Sequence, residues 1–121
     1  MKKFADLKFR FGICLAAVAA PATAHHSFAM FDQNRQVELK NVTVTRFEWT
    51  NPHSFVYVKD GTTTYMLECS SPNLMTHQGW KFNTLKTGDE IGIIFYPLRN
   101  GKPGGMLKTV KFRSGQSLNA W

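Results

Sequence analysis

Cysteine is scarce in this chain: 121 residues hold two, Cys14 and Cys69. Cys14 falls in a segment that reads as an export leader, so the mature chain would keep Cys69 alone. No internal disulfide can then form, and stability must come from packing. Long apolar runs are missing as well. The longest, residues 11–20, is half of the roughly 20 residues a bilayer-crossing helix needs, so no transmembrane anchor is expected. There is no internal repeat, low-complexity tract or long linker. No nucleophile–base pair at a recognisable spacing, phosphate-cradling glycine loop or carboxylate pair suited to glycoside cleavage stands out either.

Acidic residues are few, 8 against 15 basic, yet much of that imbalance sits at the start. Lys2, Lys3, Lys8 and Arg10 precede or open the short apolar run. Ala22-Thr23-Ala24 then supplies the small-x-small pattern that a signal peptidase accepts. Residues 1–24 therefore read as a secretory signal peptide, and Phe11-Gly12-Ile13 before Cys14 does not resemble a lipobox. Without that leader the chain keeps 11 basic and 7 acidic residues, a net charge of +4 over 97 residues. So modest a charge suits a periplasmic or secreted single domain and by itself does not argue for nucleic acid, and export removes most such partners. A periplasmic or envelope protein is the kind of partner that fits.

After an irregular arm over residues 25–36, which Phe28 and Phe31 can pin to the body, residues 37–121 read as one β domain. The first strand is expected over 37–49, where Val42 and Val44 alternate with Thr43 and Thr45. Thr50-Asn51-Pro52-His53 breaks it, because proline removes a ladder donor. A second strand follows over 54–59, the Asp60-Gly61 turn closes a hairpin, and a third strand covers 62–69. Ser71 suits a helix cap, Pro72 the first helical position and Gly79 the stop. Strands over 90–98 and 106–113 complete the pattern, with the loop Asn100–Gly105 between them. Three strands, one short helix and two strands match a small five-stranded barrel of the oligonucleotide/oligosaccharide-binding (OB) type. A β-sandwich would show about seven strands.

Histidines carry the chemistry. Cleavage after Ala24 would place His25 at the new N-terminus, beside His26, so that an α-amine and two imidazoles share one chain end. His53, in the break after the first strand, supplies a third ring. Such a nitrogen set suits copper above all, in an arrangement resembling a histidine brace. Glu68, near the end of the third strand, is a carboxylate able to orient a histidine or to complete the ligand set. Without metal binding, the same residues read as solvated histidines and a strand carboxylate paired with a lysine. Cys69 alternates onto the face of Tyr65 and Leu67 and reads as a small core residue. Its functional alternative is a blue-copper thiolate with His53, His77 and Met66 or Met75. Phe47, Trp49, Phe55, Tyr57 and Trp80 read mainly as core, with Trp49, Tyr57 and Trp80 as an alternative face for a glycan, peptide or protein.

Taken together, His25-His26-Ser27-Phe28 with Phe31-Asp32, Glu48-Trp49-Thr50-Asn51-Pro52-His53-Ser54, and Glu68 ahead of Ser71-Pro72-Asn73 and Gly79-Trp80 resemble a family of small exported bacterial proteins of unknown function. The Leu85-Lys86-Thr87-Gly88-Asp89 turn adds to the match, which spans nearly the whole mature chain. The resemblance implies export and a compact β domain, and it transfers no reaction. His77 stands where such sequences usually carry a basic residue, and Cys69 looks like a local variant. The expectation is an exported copper-binding carrier or accessory domain with His25, His26, His53 and Glu68 as its metal site. A non-metal binding module of the envelope, and a histidine-brace oxidative enzyme, are the alternatives.

Overall fold

The computed structural model describes residues 28–121, so the leader, His25 and His26 lie outside the described residues. A short 3-10 turn, Phe28–Met30, leads into a mainly β domain: β1 (Val37–Glu48), β2 (Phe55–Asp60), β3 (Thr63–Glu68), helix α1 (Pro72–His77), β4 (Glu90–Pro97), β5 (Gly104–Lys111) and β6 (Ser117–Asn119). β1 pairs antiparallel with β2 on one side and β4 on the other. It is twelve residues long, and its ladders shift register at Leu39/Val42 and Val44/Arg46. Such irregularities bend a strand and let it curve around a barrel. β3 pairs parallel with β5, which closes β1 to β5 into a mixed barrel with α1 between the third and fourth strands.

Alternation along the strands builds the interior. Val42, Val44, Val56, Val58, Leu67, Ile91, Ile93, Phe95, Leu107 and Val110 are buried in one cluster, as period-two patterning requires. Helix α1 begins where the sequence predicts. Ser71 is its N-cap, accepting from the Leu74 N–H at 3.3 Å, and Pro72 is its first residue. The helix contributes Met75 to the core. Gly79, at φ +94°, turns the chain back toward Trp80.

Two features differ from the sequence expectation. β5 starts at Gly104, inside the stretch that reads as a loop, because closure of the barrel requires glycine there. A Cβ at Gly105 would lie 2.0 Å from the Tyr96 carbonyl oxygen, and one at Gly104 2.5 Å from that of Met66. The sixth strand is the other. β6 pairs with β5 at Thr109↔Asn119 through Lys111↔Ser117, after a turn at Gly115 with φ +90°. Its three residues carry one partly buried apolar side chain, Leu118, too weak a pattern to read from sequence.

The arm is tied down before β1. Phe31 is buried and bridges Leu98, the Asp32 N–H donates to the Pro97 carbonyl at 2.9 Å, and Arg99 Nε donates to the Ala29 carbonyl at 2.9 Å. The segment over 28–32 thus runs along the β4–β5 connection. Among the described residues no helix is long and apolar enough to cross a membrane.

Candidate functional site

The ends of β2 and β3 bring His53 and Glu68 together. In the β2–β3 ladder Phe55 faces Glu68. His53 lies two residues before Phe55 and projects from the same face, diagonal to Glu68. The proline break ahead of it contains a cis Asn51–Pro52 bond, and Thr50 Oγ1 donates to the His53 carbonyl at 3.0 Å. The ring meets the Glu68 carboxylate through Nδ1 and Oε1. A carboxylate only accepts, so Nδ1–H is the donor, and in the neutral ring Nε2 carries the lone pair.

This pair is sheltered on the outer face of the barrel, away from the core. Glu68 is 7% exposed. Trp121 meets the His53 ring edge-on, with centroids 5.4 Å apart and planes at 76°. Its indole Nε1 donates to the Glu68 carbonyl at 3.4 Å. Phe28 stands edge-on to Trp121 in turn, at 5.3 Å and 72°. The N-terminal arm and the end of the β6 segment thus converge over His53 and Glu68. Beside them opens a cleft of about 350 Å³ lined by Gln33, Tyr96, Met106, Lys108, Asn119 and Trp121. Sequence patterning carried no signal for Trp121 or Met106. Trp121 follows a three-residue strand, and Met106 reaches this face only through the parallel pairing Glu68↔Met106.

The hydroxyls of Ser54 and Ser70 are buried with no hydrogen-bond partner among the described residues. Ser54 N–H donates to the Ser70 carbonyl at 3.1 Å, so these two hydroxyls flank the strand ends that carry His53 and Glu68.

The other residues singled out in the sequence fall elsewhere. Cys69 points into the core and is fully buried. Desolvation by burial pushes its thiol up, the Glu68 charge adds to the rise, and a backbone hydrogen bond from Val56 opposes it. A thiol held protonated is a poor metal ligand, and Cys69 is a core residue here. Met75 is buried in the same cluster, while Met66 and His77 are exposed. The blue-copper set is therefore not assembled. Trp80 is 1% exposed, packs against Phe47 at 5.8 Å, and donates through Nε1 to the Asn119 carbonyl at 2.7 Å. It cannot stack a ligand alongside Trp49 and Tyr57. Among the described residues no group of three or more His, Cys, Asp or Glu side chains is placed to hold a metal, so His53 and Glu68 are the described part of the expected four-residue set.

A model of a family described only as a family of unknown function (DUF6152) matches residues 13–108. No curated protein matches, and no solved structure does.

Proposed function

The chain belongs to the DUF6152 family, a family of unknown function, and we propose that it is an exported copper-binding carrier or accessory domain. In this reading residues 1–24 are removed, and His25, His26 and His53 ligate the ion. The observation that carries the proposal is the hydrogen bond between His53 Nδ1 and the sheltered Glu68 carboxylate. Metal-ligating histidines almost always give their second ring N–H to such an acceptor, which fixes the tautomer and raises the basicity of the other nitrogen. Glu68 then acts as the group that orients His53.

Chain geometry supports the partnership with the two N-terminal histidines. Phe28 packs on Trp121, and Trp121 packs on His53. His25 is three residues before Phe28, and three residues of chain span at most about 10 Å. Imidazoles and an amine near a carboxylate-oriented imidazole form a donor set of the kind Cu²⁺ prefers among common divalent ions.

The test uses protein exported and processed to its authentic N-terminus. Intact mass fixes the cleavage site, and calorimetry with Cu²⁺ should give binding near one ion per chain. One extra residue ahead of His25 displaces the α-amine and should weaken binding, and His53→Ala should abolish it. Heats no larger than those of lysozyme under the same conditions would overturn the proposal.

A further inference from the structure

A second cleft lies at the mouth of the barrel, on residues outside the His53–Glu68 site. Its volume is about 360 Å³, within the usual range for small-molecule sites. Tyr65 forms its accessible aromatic wall, backed by the buried Phe95 ring at 5.7 Å and a tilt of 60°. Pro97 adds apolar surface, and Arg35 and Lys102 stand at its rim. The backbone of Gly104 forms part of the lining, where a Cβ would strike the Met66 carbonyl.

The charge at this rim is uncompensated. No acidic residue lines the cleft, and neither Arg35 nor Lys102 makes an ion pair among the described residues. A groove between β1, β4 and β5 is different: there Lys111 is matched by Glu38 and Arg113 by Glu90. Arg99, next to the mouth, is also engaged, with Ala29 and Asp32.

The rim is also built. Lys102 N–H donates to Asn100 Oδ1 at 2.9 Å, Gly101 N–H to the Leu98 carbonyl at 3.3 Å, and Leu98 N–H to the Gly104 carbonyl at 3.2 Å. On the arm side, Arg35 N–H donates to the Asp32 carbonyl at 3.2 Å. These bonds fix the backbone from which both exposed cations extend at the rim.

We propose that this cleft binds a small aromatic carboxylate. The carboxylate lies between the planar fork of Arg35 and the ammonium of Lys102, and the ring packs on Tyr65 and Pro97. A guanidinium offers paired donors matched to a carboxylate. Aromatic faces and edges at 4.5–7 Å centroid spacing add directional packing. Neither half of the ligand satisfies the cleft alone.

Benzoate is the probe, with acetate and benzyl alcohol as its two halves, titrated into the full mature chain and followed by amide NMR. Benzoate should give saturable shifts at Tyr65, Phe95, Gly101 and Gly104, and neither half should saturate over the same concentrations. Arg35→Gln with Lys102→Gln should weaken benzoate by about tenfold or more, with the remaining spectrum unchanged as proof of folding. Saturation by acetate at the same residues overturns the ring assignment and with it the proposal. So does benzoate binding that survives the double substitution, or shifts that do not saturate.

Discussion

His53 and Glu68 are fifteen residues apart in the chain, yet the imidazole and carboxylate share a hydrogen bond on the outer face where β2 and β3 end. Neither is a core residue in the usual sense. Both are sheltered by an aromatic pair, Phe28 and Trp121, contributed from the opposite ends of the described chain.

The first prediction separates ligand from orienting group. Glu68→Gln keeps an acceptor oxygen but removes the charge, so Cu²⁺ affinity should fall about 10- to 100-fold, the usual effect of altering such a partner. His53→Ala should leave no measurable site. Competition with a chelator of known affinity reads both. Equal affinity for the Gln variant and the parent protein would remove Glu68 from the site.

Cys69 predicts a pH dependence. Its thiol is a weaker acid folded than unfolded, because burial raises its pKa above the ordinary value of 9.0. The unfolded chain releases that proton first as pH rises. The stability contribution is therefore complete below pH 9 and declines above it, by up to about 1.4 kcal/mol per pH unit. Urea unfolding of wild type and Cys69→Ala should give parallel pH profiles below pH 8 and a steeper wild-type decline above 9. The native thiol should also resist Ellman's reagent until the protein unfolds.

Gly105 should be among the least tolerant positions. An added Cβ at 2.0 Å from the Tyr96 oxygen must push β4 and β5 apart. Gly105→Ala should lose on the order of 4 kcal/mol, at the severe end for single substitutions. Gly61 has φ +58° but open space around it, so Gly61→Ala should lose only about 1 kcal/mol from backbone strain. Thermal unfolding of the two variants side by side decides whether close approach, and not glycine content, sets the effect.

Ser70→Ala should leave stability unchanged or raise it by up to about 1 kcal/mol. A buried hydroxyl without a partner carries a desolvation penalty that alanine does not. Destabilisation by more than 1 kcal/mol in metal-free protein would mean that the hydroxyl has a partner.

Much of the barrel was legible because local rules agree with it. Alternation at Val42/Val44, the Asp60-Gly61 turn and the Ser71-Pro72 cap each specify a local geometry that the fold retains. Legibility ended where a local pattern is short or where a residue's role depends on a distant strand. Gly104-Gly105 looked like loop because glycine usually marks one, whereas here it allows two backbones to touch. Trp80 read mainly as core, and the structure buries it; the alternative stacking face stayed open because the Asn119 carbonyl that anchors its indole lies on β6, which the sequence did not reveal. For Glu68, alternation fixed the face but left open whether the partner was a lysine or a histidine.

By itself the sequence determined which residues turn inward, where the chain turns and where α1 is capped, since each follows from side-chain period or backbone preference within a few residues. It also raised His53 and Glu68 as partners in chemistry. Only the tertiary structure decided that they meet, that Phe28 and Trp121 cover them, and that Arg35 and Lys102 share one rim. The first arises from the register of the β2–β3 ladder, and the others from β3 pairing with β5 and from the arm lying along the β4–β5 connection. Contacts between strands so far apart in sequence depend on how the whole sheet closes, which no local pattern encodes.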